Sequence, residues 1–112
     1  MQLNHSQAMN LWHRVMLAAL ERDLPDLTAR QFALLLHVYL GPPPHTVRGL
    51  SARLKISKPA VTRALDRLSA LGFVKRMRDK SDGRRIIVSR TVAGSVFLRD
   101  FADMAADLAE AV

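Results

Sequence analysis

Cysteine is absent from this chain of 112 residues. That excludes disulfides, thiolate zinc sites and thiol redox chemistry. No apolar stretch reaches the roughly 18 residues that a membrane span needs. The opening MQLNHSQ lacks the basic, then apolar, then small-residue order of a secretory signal, and a cytoplasmic setting is expected. No glycine-rich phosphate loop is present. The four histidines, His5, His13, His37 and His45, show no tight metal-ligand spacing, so neither a metal nor a cofactor is expected. His37 follows Leu36 on an apolar helical pattern and reads as a core or interface residue. Ser, His and Asp are scattered without a recognisable triad, and the chain is not expected to be an enzyme.

Acidic residues are scarce in one region above all. Between His45 and Arg90 there are 13 Lys and Arg against 3 Asp and Glu, a net charge of +10. The remainder has 4 against 7, a net of −3, which leaves +7 for the whole chain. A basic field confined to one segment is the footprint of a phosphate-binding surface. A merely basic, solvated surface is the plainer alternative.

Apolar residues make up 49% of the chain, enough for the core of one compact domain over residues 1–112. Met9, Trp12, Val15/Met16 and Ala19/Leu20 recur at helical spacing over Ser6–Asp23, and Pro25 ends the pattern. Thr28 and Gln31 have capping-box spacing, and Leu27 with Phe32 can form a hydrophobic staple. They open a second, largely apolar helix that runs to Leu40. Gly41-Pro42-Pro43-Pro44 then reads as a stiff connector, and a proline-rich partner motif is the sharper alternative. A very short strand is expected at Thr46-Val47, and a third helix from Val47/Arg48 to Leu54. After the turn Lys55-Ile56-Ser57, a fourth helix spans 57–71, with Ser57 as N-cap, Pro59 in the first turn and Gly72 as its stop. Phe73–Arg78 and Arg85–Ser89 read as strands joined by the polar loop 79–84. Thr91 caps a last helix that reaches the C-terminus. Along it, Leu98, Phe101, Ala105, Leu108 and Val112 form a seam spaced 3, 4, 3, 4. The fold class is therefore mainly α with a small β-hairpin, a winged helix–turn–helix.

Helices three and four form the helix–turn–helix. Val61, Leu65, Leu68 and Leu71 share one face of the fourth helix and should pack on the core. The other face presents Lys58, Thr62, Arg63, Asp66 and Arg67. Its N-terminal half, with Ser57, Pro59 and Ala60, should enter a DNA major groove, where an α-helix fits and base edges are distinguishable. Thr62 can contact a base edge or a thymine methyl. Arg63 can reach guanine or a phosphate, and Lys58 is placed for a phosphate. A solvated face with a local ion pair is the plainer reading of Arg63, Asp66 and Arg67. The hairpin adds Lys75, Arg76, Arg78 and Arg85 on its strands, and Lys80 and Arg84 at its tip. A minor groove narrowed by A·T sequence attracts an inserted arginine, and Arg84 is the candidate. Asp82 can brace that loop or hold the guanidinium. Trp12, Met16 and Phe97 or Phe101 can line a small-molecule pocket, although such stripes are more often core or interface.

In this order of elements the chain resembles the MarR family of bacterial transcriptional regulators. The resemblance is carried by Leu27-Thr28, Leu50-Ser51-Ala52-Arg53-Leu54, the run from Ser57 to Arg63 leading to Leu68, and Leu71-Gly72-Phe73-Val74-Lys75-Arg76. It continues through Asp82-Gly83-Arg84 to Thr91 and Gly94. It implies a homodimeric repressor or activator on a pseudo-palindromic operator, with Asp82 and Arg84 as the wing motif in the minor groove. Segments 1–26 and 91–112 become dimerisation helices around a DNA-binding lobe at 27–90, with Trp12, Met16, Leu98, Phe101, Ala105, Leu108 and Val112 at the dimer interface. A small-molecule effector, bound between the dimer helices and the lobe, is a further implied partner. The chain departs from that family's usual pattern in three places. Arg90 stands where a leucine is usual, Gly83 replaces a common arginine, and the ending is shorter. A winged-helix module for protein–protein contacts and a sequence-nonspecific nucleoid-associated DNA binder are the rival functions.

Overall fold

The computed structural model describes residues 2–112, so Met1 of the segment 1–26 lies outside the described residues. Its elements run α1 (His5–Glu21), α2 (Ala29–Leu40), β1 (His45–Thr46), α3 (Val47–Leu54), α4 (Lys58–Ala70), β2 (Val74–Arg78), β3 (Ile86–Arg90) and α5 (Val92–Ala109). The chain divides into two compact units, Met1–Asp26 with Leu98–Val112, and Leu27–Phe97.

In the Leu27–Phe97 unit, polar residues at the helix starts set the boundaries. Thr28 Oγ1 accepts from the Gln31 amide, and Gln31 Oε1 from the Thr28 amide, at 3.1 and 3.0 Å. Each thereby satisfies a backbone N–H that the helix leaves free. Thr46 and Ser57 cap α3 and α4 through the amides of Gly49 and Ala60. Between them Lys55 takes a left-handed conformation (φ 57°, ψ 43°), which makes the turn tight. Gly72 (φ 79°) ends α4, a conformation that glycine adopts without Cβ strain. The core is built from Leu34, Leu35 and Val38 of α2, Leu50 of α3, and Val61, Ala64, Leu65 and Leu68 of α4. Phe97 stacks on Phe73 with ring centroids 4.4 Å apart, which closes one side of this core.

The expected short strand pairs with the hairpin to make a three-stranded sheet. The sheet order is β1-β3-β2, antiparallel throughout, with His45 opposite Val88 and Arg76 also opposite Val88 from the other side. The short strand lies at His45–Thr46 rather than Thr46-Val47 because the Thr46 side chain is committed to capping α3, which draws Val47 into the helix. Likewise β3 starts at Ile86, not Arg85. The Arg85 amide donates to Asp82 and its carbonyl accepts from Asp79, so Arg85 closes the loop.

The base of the hairpin is held by Tyr39. Its hydroxyl donates to the Phe73 carbonyl at 2.7 Å and accepts from the Thr91 amide at 2.9 Å. Thr91 Oγ1 donates to Gly72 O and accepts from the Gly94 amide, which caps α5. A side chain at Gly94 would overlap the Tyr39 hydroxyl and the Phe73 carbonyl. Arg90, where the resemblance leads one to expect leucine, donates through Nε to Val38 O at 3.0 Å and through Nη2 to Gly41 O at 3.4 Å. A cation thus satisfies carbonyls at the negative end of α2.

The other unit contains α1, opened by an Asn4/Gln7 capping box, and the later part of α5. Val15 is its buried residue on α1. On α5, Met104 is buried (2% exposed), whereas Leu98, Phe101, Ala105 and Leu108 are half-buried. The helix stops at Ala109, so Val112 lies beyond it rather than on its seam. Among the described residues, no helix is long and apolar enough to cross a membrane.

Candidate nucleic-acid interface

The apolar face of α4 is turned inward and its polar face outward, as the spacing predicts. Val61, Leu65 and Leu68 are buried, Leu71 is half-buried, and Ala64 joins the buried set. Ser57, Lys58, Pro59, Thr62, Arg63, Asp66 and Arg67 are exposed, and Ala60 is half-buried. The N-terminus of α4 therefore offers amides and cations on one accessible surface, a combination suited to phosphate oxygens.

The hairpin presents Lys75, Arg76, Arg78, Lys80, Arg84 and Arg85 to solvent. Short-range bonds shape its tip. Asp82 Oδ1 accepts from the Arg84 amide at 3.1 Å and lies 3.5 Å from Arg84 Nε. The Arg84 side chain is nevertheless 95% exposed. Arg78 Nη1 donates to Gly83 O at 2.7 Å across the loop. Asp79 Oδ1 accepts from the Ser81 amide and hydroxyl at 3.0 and 2.8 Å, and Asp79 Oδ2 lies 3.4 Å from Arg85 Nε. Hydrogen bonds from the Ser81 amide and hydroxyl, and then the Arg85 charge, hold the Asp79 carboxyl below the usual carboxylate range.

Among the described residues, one ion pair joins hairpin to helix. Arg76 Nη1 on β2 lies 2.8 Å from Asp66 Oδ1 on α4. Each of the three acidic residues in the basic segment therefore faces a hairpin arginine: Asp66 with Arg76, Asp79 with Arg85, and Asp82 with Arg84. Among the described residues, Lys58, Arg63 and Arg67 form no ion pair. The cations of α4 keep their charge available, while those of the hairpin are partly neutralised. The partnership of Asp66 with Arg76, ten positions away on another element, has no local sequence signal.

His45, in sequence one of four scattered histidines, is buried on β1 at 6% exposure. Its Nε2 has no hydrogen-bond partner among the described residues, and its ring meets His37 edge-on at 5.4 Å. Burial, and then the neighbouring His37, keeps its imidazole below the usual histidine range. Among the described residues, no three His, Cys, Asp or Glu side chains are grouped to hold a metal ion. Trp12 and Met16 are exposed on α1, whereas Phe97 stacks in the other unit.

Three helices, a capped and exposed fourth, and a hairpin returning beside it define a winged helix–turn–helix protein. The sequence profile of the MarR family matches residues 26–85, more than half of the chain. The chain belongs to the MarR family. Among curated proteins none matches it. Solved structures share its fold. A variant of MepR from S. aureus bound to an oligodeoxyribonucleotide aligns with a TM-score of 0.79 at 17% identity, over 98% of this chain and 82% of that one. The transcriptional repressor CouR, bound to a 23-mer DNA duplex, aligns at 0.72 and 24% identity, over 92% and 70%. A MarR transcriptional regulator from Methanosarcina mazei aligns at 0.63 and 31% identity, over 75% and 60%.

Proposed function

We propose that this chain is a sequence-specific, double-stranded DNA-binding transcriptional regulator acting as a homodimer on a pseudo-palindromic operator. The observation that carries this reading is the exposed face of α4, where Lys58, Thr62 and Arg63 in the first half and Arg67 in the last turn stand without an acidic partner. Membership of the MarR family and the DNA-bound state of two structural relatives support it. In this reading the N-terminal half of α4 lies in the major groove, with Ser57, Lys58, Pro59 and Ala60 at its leading end. Thr62 and Arg63 face base edges, and Arg67 faces the backbone. The tip places Arg84 in the flanking minor groove, held by Asp82, with Lys80 and Arg85 on phosphates. The exposed α1 side chains Trp12 and Met16, with the α5 seam, meet a second copy, and the two half-sites lie about one turn (roughly 10 bp) apart. A small-molecule effector is a further partner in the same reading.

The test is fluorescence anisotropy across a salt series, on duplexes selected by the chain from a random-sequence library. Steeply salt-dependent binding is expected, with at least ~10³-fold preference over scrambled duplex. Arg84→Ala should weaken binding and lower the salt slope by about one. No salt-sensitive binding to any duplex would turn the basic face towards an acidic protein partner instead. Equal binding to selected and scrambled duplexes would leave only nonspecific packaging.

A further inference from the structure

We infer that Asp66 is a positioning residue for DNA sequence selection, and that it acts through Arg76 by holding the hairpin at a fixed angle to the recognition helix. The inference deepens the DNA-binding reading and rests on it. A carboxylate on a DNA-facing surface is an electrostatic cost, because it repels phosphates. Asp66 nonetheless stands on the exposed face of α4, between Arg63 and Arg67. Its carboxylate lies 2.8 Å from the Arg76 guanidinium, and both side chains remain accessible (60% and 33% exposed).

The geometry explains what such a pair does. The base of the hairpin is already fixed, by Tyr39 on Phe73 and by Thr91 on Gly72. Those bonds sit at the junction, and β1 pairs with Ile87 and Val88 on the edge of β3 away from β2, so none of them ties the hairpin to α4 itself. Among the described residues, Asp66–Arg76 is the one ion pair between α4 and β2, and it acts two residues further along the strand than Val74. Arg76 pairs with Val88 of β3, so an anchor on Arg76 fixes both strands of the hairpin together. Lys80 and Arg84 extend beyond this anchor on the tip. The pair therefore helps to set their distance from α4. A fixed angle lets helix and tip reach adjacent grooves at one spacing. A loose hairpin still finds phosphates, but at many registers.

The proposal thus separates two quantities that a plain charge effect would move together. Asp66→Asn removes a negative charge and should raise affinity for scrambled duplex by about twofold. It should lower affinity for the selected duplex by up to about fivefold per half-site, the equilibrium weight of one exposed ion pair. Arg76→Gln should lower selected-duplex affinity to the same extent, with the salt slope falling by much less than one, because Arg76 is a brace and not a phosphate contact. The double variant should lose no more than either single variant. Arg76→Lys, which keeps the pair, should retain the preference.

All four variants are titrated as full chains, by anisotropy at several salt concentrations, against the selected and the scrambled duplex. Opposite movement on the two duplexes, non-additivity and an unchanged slope support the brace. Tighter binding of Asp66→Asn to both duplexes would show a simple repulsive charge and overturn it. So would an Arg76→Gln slope lowered by a full unit. Loss of preference in Asp66→Asn but not in Arg76→Gln would make Asp66 a direct base contact, and would also overturn it. If wild type binds no duplex, the DNA-binding reading fails together with the inference; if wild type binds and the variants behave as just described, the inference fails alone.

Discussion

Helix α4 and the hairpin present their cations in opposite ways. Helix α4 rests on four buried residues, Val61, Ala64, Leu65 and Leu68, and its exposed side chains stand on that packed base. The hairpin buries Val74 and Val88 near its foot, and its tip is shaped by contacts between near neighbours in sequence. One surface takes its position from the core, the other from local hydrogen bonds. Damage to α4 should therefore register first as lost stability, and damage to the tip only as lost binding.

The sharpest way to break this contrast is Leu65→Ala. Leu65 is fully buried, and its truncation should cost about 2–5 kcal/mol, read by denaturant unfolding. A cost below about 1 kcal/mol would show that α4 is not seated as described. Gly94→Ala comes next, at about 1–3 kcal/mol, because the added methyl must displace the Tyr39 hydroxyl from the Phe73 carbonyl. Circular dichroism melting of the variant checks this, and an unchanged midpoint would remove the Tyr39 clamp from the account. A smaller effect should follow pH. The folded state holds His45 below its unfolded value, so the unfolded chain binds the extra proton first. The stabilisation is complete above the unfolded value, about 6.5, and is lost as pH falls through the lower folded value. His45→Leu should flatten that part of the stability profile; an identical slope in both proteins would assign the loss to other groups. Least of all, Arg84→Ala should change stability by no more than about 0.5 kcal/mol while DNA binding falls. A clear drop in melting temperature would mean that the tip contributes to the fold.

The same contrast governs what the sequence reveals. Elements set by neighbours within a few residues are legible: the Thr28/Gln31 box, the Ser57 cap, the Gly72 stop and the inward face of α4. Each is decided by side chains one turn apart. Contacts across elements leave no such local trace. The pairing of His45–Thr46 with β3 involves two residues whose partners lie about forty positions away. Arg90 reads as one more surface cation until the end of α2 is seen beneath it. On α5 the seam spacing singles out Leu98, Phe101, Ala105 and Leu108, yet Met104 is the residue most fully covered, since burial depends on what lies opposite. The charge of Arg76 makes it one more candidate DNA contact, and its engagement with Asp66, ten residues away on another element, leaves no sequence signal.

The strand order has a consequence for how the molecule is made. β3 is the last strand in sequence but the middle one in space, and it alone joins β1 to β2. Until Ile86–Arg90 has left the ribosome, neither earlier strand has a neighbour, and the end of α2 lacks its arginine. A nascent or truncated chain ending before β3 carries two open strand edges, the condition that invites pairing with other chains. Completion of the sheet, the closing of α2 and the start of α5 then fall within a few residues of synthesis. The Leu27–Phe97 unit passes from unpaired edges to a finished sheet in one late step.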